Sequence, residues 1–198
     1  MSINIRDDYR QSYVAFLDLL GFKAAVDEAD SDPAKQSFIL EILHLVKDTL
    51  CENPHTRMRL SYFSDCLIAS VDRTPRGLYE LIVSISTLTV NLLQRDVLVR
   101  GGLAAGGAHH SDGFVYGKAV NKAVIMETRA EYPRTLLSSE AVSDAKEYGL
   151  VETGLLASTN DRLFVDLFEH VSRLSTISQP FRHGHTRQAC SPHRSFNP

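Results

Sequence analysis

Residues 57–71, RMRLSYFSDCLIASV, decide the predicted fold of this chain. Polar and apolar residues alternate as far as Ser64 and Asp65, and an apolar run follows, which is typical of two strands joined by a tight turn. Residues 12–18, SYVAFLD, are an aromatic and β-branched run that ends at Asp18, so they predict a buried strand. The predicted hairpin turn and the end of the predicted strand thus each carry a carboxylate.

Two predicted helices alternate with these strands. Pro33 begins a segment whose apolar residues recur at spacings of three and four, and Pro75 begins another that continues to about residue 94. Residues 97–107, VLVRGGLAAGG, return to strand character, with glycines that permit close backbone approach. The order β-α-β-β-α-β is that of the split βαβ, ferredoxin-like arrangement, an α+β fold.

The remaining sequence is predicted to complete one domain and to continue into a tail. Short strands are expected near residues 114–116, 135–137 and 162–167, with a helix over residues 119–130. After about residue 175 the apolar periodicity disappears, and Ser, Pro, His and Arg predominate. We therefore expect a domain over residues 1–174 and a flexible C-terminal tail over residues 175–198.

Composition excludes several classes of protein. The chain has 198 residues, 43% of them hydrophobic, which is enough to bury a core without disulfides. A net charge of -3 gives no general electrostatic reason to bind nucleic acid or an anionic membrane. The start of the sequence is polar, and no apolar stretch is long enough to cross a bilayer. The three cysteines have no close pair. These features predict a cytoplasmic protein with free thiols that binds neither nucleic acid nor a membrane.

Asp18 and Asp65 are expected to meet. The first and third strands of a split βαβ sheet are neighbours, so the end of the first lies beside the start of the third. Two adjacent carboxylates repel each other unless a cation lies between them, and Mg²⁺ takes such carboxylates together with substrate phosphates. The pair therefore predicts a nucleoside triphosphate site. The alternative is that Asp65 is a turn residue and Asp18 a cap.

Four segments, in this order, resemble the class III nucleotidyl cyclases, the adenylyl and guanylyl cyclase superfamily. They are FLDLLGF at 16–22, YFSDCLIAS at 62–70, VRGGLAAGG at 99–107 and YGKAVNKA at 116–123. The resemblance spans roughly residues 12–170. It implies the cyclase catalytic core with a C-terminal extension, and two Mn²⁺ or Mg²⁺ ions held by Asp18 and Asp65.

The same resemblance assigns catalytic and phosphate-binding residues. In the family a Gly-x-x-x-Asn element begins a helix, its Asn orients the ribose, and an Arg four residues later steadies the transition-state phosphate. Gly117 and Asn121 match, but Ile125 stands at the Arg position. The basic residues that could replace that Arg are Lys118, Lys122, Arg129, Arg100 and Arg162. Arg162 is near the place of the family's phosphate-binding Lys.

The base-binding positions also depart from the adenylyl cyclase pattern. Ser61 replaces a Lys, and Phe114 replaces an Asp. Arg57 and Arg59 lie upstream of Ser61 on the same predicted strand and could reach base edges. With the short single domain, these changes resemble the pyrimidine cyclases of bacterial anti-phage Pycsar systems. That resemblance implies synthesis of 3′,5′-cyclic UMP or CMP from UTP or CTP, in a homodimer with shared active sites.

A second interpretation is a degenerate cyclase-like domain that binds a nucleotide or a partner without turnover. The isoleucine at position 125 supports it. Retention of Asp18, Asp65 and Asn121 argues against it, because a pure binding module needs no unshielded acidic pair. A diguanylate cyclase is less well supported, since the hairpin carries YFSDC instead of that family's Gly-Gly-Asp/Glu-Glu-Phe turn.

Overall fold

A computed structural model describes residues 9–50, 55–111, 113–159 and 162–166. Within these residues the strands form one eight-stranded sheet in the order β2-β3-β1-β4-β6-β8-β7, with β5 paired to β4. The strands are β1 Tyr9–Leu20, β2 Arg59–Phe63, β3 Cys66–Asp72, β4 Leu98–Ser111, β5 Phe114–Gly117, β6 Thr135–Leu137, β7 Leu156–Thr159 and β8 Arg162–Val165. The helices are α1 Phe22–Ala29, α2 Pro33–Thr49, α3 Pro75–Leu93, α4 Lys118–Thr128 and α5 Ser139–Glu147.

The central strands confirm the predicted α+β arrangement. β1 pairs antiparallel with β3 on one side and with β4 on the other, which is the split βαβ order. The hairpin of β2 and β3 turns at Ser64, whose φ of 55° lies in the left-handed region. β4 pairs in parallel with β6, which joins the C-terminal strands to the same sheet.

The two faces of the sheet are covered differently. Alternate residues of β1, from Tyr13 to Leu19, lie in the main core, which also contains buried residues of α2, α3 and α5. The intervening residues, among them Val14 and Phe16, belong to a smaller cluster with α4. On that second face the side chains of β2 stay partly accessible, and Phe63 is 84% exposed. We call this second side the open face.

Gly102 explains how α4 packs so closely on the open face. A Cβ at this position would lie 2.1 Å from the Ala123 carbonyl oxygen and 2.7 Å from the Glu127 nitrogen. Only a glycine therefore allows the helix backbone to approach β4 at this point. The contact places the second half of α4, from Ala123 to Glu127, beside the centre of the sheet.

The structure corrects several sequence predictions. β1 continues to Leu20, so Asp18 lies within the strand and does not end it. The sequence analysis did not predict α1, α5 or β7. α1 has only eight residues and follows Gly21, which is left-handed and gives no side-chain cap, and α5 buries mainly small residues, so neither contains a long series of large apolar residues. The predicted tail over residues 175–198 lies outside the described residues.

Candidate active site

Asp18 and Asp65 come together on the open face, as the strand order predicts. In the sheet Asp18 is paired with Cys66 of β3 on one side and with Arg100 of β4 on the other. The Leu19 backbone N–H donates to the Asp65 carbonyl oxygen at 2.9 Å, which fixes the hairpin turn against β1. One carboxylate oxygen from each aspartate and the Cys66 sulfur all lie within 4.8 Å of one another. The sheet register thus produces a compact cluster of possible metal ligands.

The surroundings of Asp18 oppose its negative charge. Partial burial raises the pKa of its carboxyl group, and the nearby carboxylates of Asp65 and Glu127 raise it further, whereas Arg100 lowers it. A carboxylate with a raised pKa gains a proton or a cation more readily than an isolated one. The arrangement therefore favours a positively charged partner between the two aspartates.

Arg100 already provides part of that positive charge. Its Nη2 donates to Asp18 Oδ2 at 3.3 Å, and its Nε donates to Glu127 Oε1 at 2.5 Å. Glu127 is only 5% exposed and lies on α4. The acidic pair is therefore not unshielded, which corrects the argument made from the sequence. Arg100, predicted to contact a phosphate, is bound to the aspartate cluster here.

The sequence analysis missed Glu127, although a signal was available. Ala119, Ala123 and Glu127 recur at intervals of four along α4, and all three are buried. A charged residue on the buried stripe of a short helix indicates a paired or functional group. Here the partner is Arg100, so Glu127 orients the guanidinium that contacts Asp18.

The donor atoms fit a hard divalent cation. Burial, with added repulsion from Asp65 and Asp18, raises the pKa of the Cys66 thiol to about 11. A sulfur atom is also a soft ligand, so the carboxylate oxygens are the groups that suit a hard cation. Carboxylate oxygens suit Mg²⁺ or Mn²⁺, which are completed by water and phosphate oxygens.

The predicted ribose and phosphate residues lie on and beside α4. Lys118 and Asn121 are exposed in its first two turns, and Ile125, at the position of the family's Arg, is 46% exposed. Lys122, another of the basic residues considered, forms an ion pair with Glu140 of α5. These side chains point away from the small cluster beneath the helix and so remain accessible.

Arg129 and Arg162 come together at the C-terminal end of α4. Arg162 Nη1 donates to the Arg129 carbonyl oxygen at 3.3 Å. Both residues line a cavity of about 220 Å³ whose other walls are Met126, Leu136 and Leu137. The lining includes neither predicted metal ligand. The structure thus pairs two predicted phosphate-binding residues that are 33 positions apart in the sequence.

The residues predicted to contact the base occupy the other end of the open face. Ser61 Oγ lies 2.9 Å from His110 Nε2, and Ser70 Oγ lies 2.7 Å from His110 Nδ1. Arg59 lines a small pocket together with Ser70 and His110. Phe114, at the start of β5, is 68% exposed. The contact of His110 with both serines was not predicted from the sequence.

Comparison with solved structures identifies the fold. The adenylyl cyclase CyaB from P. aeruginosa superposes with a TM-score of 0.60 at 14% identity, over 80% of this chain and 95% of that one. The guanylyl cyclase Cya2 superposes with a TM-score of 0.56 at 11% identity, over 80% of this chain and 92% of that one. The guanylate cyclase domain of RhGC from Catenaria anguillulae, in complex with GTP, superposes with a TM-score of 0.56 at 14% identity, over 80% of this chain and 97% of that one. This chain has the class III cyclase fold.

The shared cyclase fold confirms the predicted architecture. No protein-family model matches the sequence, and a search of curated proteins finds no match. At identities this low the likeness concerns the fold, so substrate and activity are argued below from the residues. In the described part of the chain, no helix has the length and apolar character needed to cross a bilayer.

Proposed function

We propose that this protein is a nucleotide cyclase that converts a ribonucleoside triphosphate to its 3′,5′-cyclic monophosphate and pyrophosphate. The observation that carries the proposal is the convergence of Asp18 and Asp65 on the open face of a cyclase-fold sheet. Their oxygens fit Mg²⁺ or Mn²⁺, with two ions per site. When bound, such ions lower the pKa of the ribose 3′-hydroxyl and neutralise the triphosphate.

The protein's own residues would position the nucleotide. Asn121 would hold the ribose, and Lys118 would contact phosphate oxygens from the exposed first turn of α4. Arg129 and Arg162, joined by the bond from the Arg162 guanidinium to the Arg129 carbonyl oxygen, would stabilise phosphate charge in place of the arginine absent at position 125. Arg100 would exchange its bond with Asp18 for a phosphate oxygen, guided by its bond to Glu127.

We further propose UTP or CTP as the substrate and anti-phage signalling as the role, in the cytoplasm. Ser61 and Phe114 stand where adenylyl cyclases carry a Lys and an Asp, so the polar pair that selects adenine is missing. Arg59 and the exposed ring of Phe114 offer a hydrogen-bond donor and a stacking surface to a small base.

The direct assay offers each of the four ribonucleoside triphosphates with Mn²⁺ and identifies the products by mass spectrometry. We expect a cyclic pyrimidine monophosphate and an equal amount of pyrophosphate. Cyclic AMP or cyclic GMP as main product would contradict the pyrimidine assignment alone. No cyclic product from any of the four, with folded protein and bound nucleotide, would contradict the cyclase proposal.

A nucleotide-binding domain without turnover is the second candidate. Two observations favour it: Ile125 replaces the transition-state Arg, and Arg100 occupies one side of Asp18. This alternative predicts that triphosphates bind with ordinary affinity and are recovered unchanged. The same assay therefore separates the two functions.

We also propose a homodimer in which each site combines Asp18 and Asp65 of one protomer with Asn121 of the other. A mixture of Asp65→Ala and Asn121→Ala subunits tests it, since each variant alone has no complete site, whereas each mixed dimer has one. Random exchange predicts recovery of about a quarter of wild-type activity. No recovery, with mixed dimers confirmed by native mass spectrometry, would contradict the shared site.

A further inference from the structure

His110 forms a buried polar relay with two serines on the open face. It lies near the end of β4, whereas Ser61 and Ser70 lie on β2 and β3, on the other side of β1 in the sheet. Because the histidine reaches both across β1, the end of β4 curves over this face of the sheet. The imidazole is 9% exposed and Ser70 is 5% exposed, while Ser61 is only partly buried. The relay therefore has one buried end and one accessible end.

The imidazole in this relay is neutral. Burial lowers the pKa of His110 to about 4, and the positive charge of Arg59 contributes in the same direction. A neutral imidazole has one N–H donor and one acceptor nitrogen, and a hydroxyl can both donate and accept. The hydrogen on one ring nitrogen therefore fixes the direction of every hydrogen bond from Ser70 to Ser61.

The two tautomers give Ser61 opposite roles. With hydrogen on Nε2, the ring donates to Ser61 and accepts from Ser70, and the Ser61 O–H is directed outward as a donor. With hydrogen on Nδ1, Ser61 donates to the ring, and its oxygen is left to accept a bond from outside. In both states each ring nitrogen keeps a serine hydroxyl as its hydrogen-bonding partner, so neither tautomer leaves a buried ring nitrogen unpaired.

We infer that His110 is a positioning residue that lets Ser61 bind either a 4-oxo or a 4-amino pyrimidine by changing tautomer. The inference rests on the proposed function, which places the base against Ser61. A uracil carbonyl would accept a hydrogen bond from the Ser61 O–H and favour the Nε2–H tautomer. A cytosine amino group would donate to Ser61 Oγ and favour the Nδ1–H tautomer.

Nitrogen-15 NMR of the imidazole provides the test. The probes are 3′-deoxy-UTP and 3′-deoxy-CTP with Mg²⁺, which lack the hydroxyl needed for cyclisation, and the His110 signals are assigned with a His110→Gln variant. We expect the first probe to shift the ring towards Nε2–H and the second towards Nδ1–H. The same tautomer with both probes, or no change when either binds, would overturn the inference.

A variant at the buried end supplies a second measurement. In Ser70→Ala the Nδ1 atom loses its partner, and a buried N–H without an acceptor costs more than an unused ring nitrogen. The Nε2–H tautomer then dominates, so the ratio of kcat/KM for UTP to that for CTP should rise by roughly tenfold. The control is Ser86→Ala, which removes a buried serine hydroxyl from α3 on the other face and should leave the ratio unchanged.

The outcomes distinguish a failure of the proposed function from a failure of the role given to His110. Wild-type protein that binds neither probe and cyclises no triphosphate would overturn the proposed function and this inference together. Wild-type protein that cyclises UTP or CTP, with an unchanged ratio in Ser70→Ala, would overturn only the role of His110.

Discussion

Replacing Asp65 with alanine is expected to reduce cyclase turnover by roughly 10³-fold or more with every nucleotide, because a bound divalent ion stabilises the transition state by several kcal/mol. The residue lies in a hairpin turn, and its backbone carbonyl, which alanine keeps, accepts the bond from Leu19, whereas its side chain accepts a long bond of 3.7 Å from the Cys66 thiol. The variant should therefore fold, and steady-state assays over a range of Mn²⁺ concentrations measure the loss.

Asp96→Asn is the matched control for that variant. Asp96 is another turn residue, with a φ of 59°, and asparagine accepts this left-handed conformation. The substitution removes a carboxylate that is not part of the acidic cluster, so turnover should stay within about twofold of wild type. Full activity in Asp65→Ala, or an equal loss in both variants, would reject the metal-ligand role of Asp65.

Replacing Asp144 with alanine is expected to cause the largest loss of stability, about 3 kcal/mol in urea unfolding. Its carboxylate accepts two bonds from Arg73, at 2.7 and 2.9 Å, and one from the Tyr13 hydroxyl at 2.6 Å. The variant would leave a fully buried tyrosine hydroxyl and a largely buried guanidinium without this partner. The estimate is at the lower end for buried pairs because Arg73, 31% exposed, can regain some water.

Two controls define that result. Tyr13→Phe removes one of the three bonds and should cost about 1 to 2 kcal/mol, whereas Asp27→Ala, on the exposed surface of α1, should change stability by less than about 0.5 kcal/mol. A loss below about 1 kcal/mol in Asp144→Ala would show that the network does not anchor α5 to the sheet.

The same network predicts a dependence of stability on pH. Bonds from Arg73, and secondarily from Tyr13, hold the pKa of Asp144 below its ordinary value. Its contribution is therefore complete above the unfolded-state pKa of about 3.9 and decreases as the pH falls through the lower folded-state pKa. Urea unfolding between pH 5 and pH 2 should show a smaller decline in Asp144→Ala than in wild type.

The centre of the sheet was predictable because its signals are local. Alternation in β2, the apolar run of β3 and the glycines of β4 define the strands, and the strand order then brings Asp18 to Asp65. The error in the end of β1 changed nothing at the site, because Asp18 lies on the open face through side-chain alternation. Strand order and alternation were sufficient for the acidic cluster.

The pairing of charged groups was not predictable in the same way. Asp144 has the local pattern of a surface helix residue, and only the approach of β1 and Arg73 makes it a buried anion. Likewise, no local pattern predicts that His110, near the end of β4, contacts Ser61 and Ser70 on two other strands. Such contacts depend on tertiary packing, which one sequence does not specify residue by residue.

A crystal structure with Mn²⁺ and a 3′-deoxynucleoside triphosphate tests the central claim most directly. The anomalous signal of manganese locates each ion independently of the protein atoms. We predict ions within about 2.0 to 2.4 Å of carboxylate oxygens of both Asp18 and Asp65, with phosphate oxygens completing the coordination. Nucleotide bound with its metal elsewhere, and Arg100 still joined to Asp18, would contradict the account.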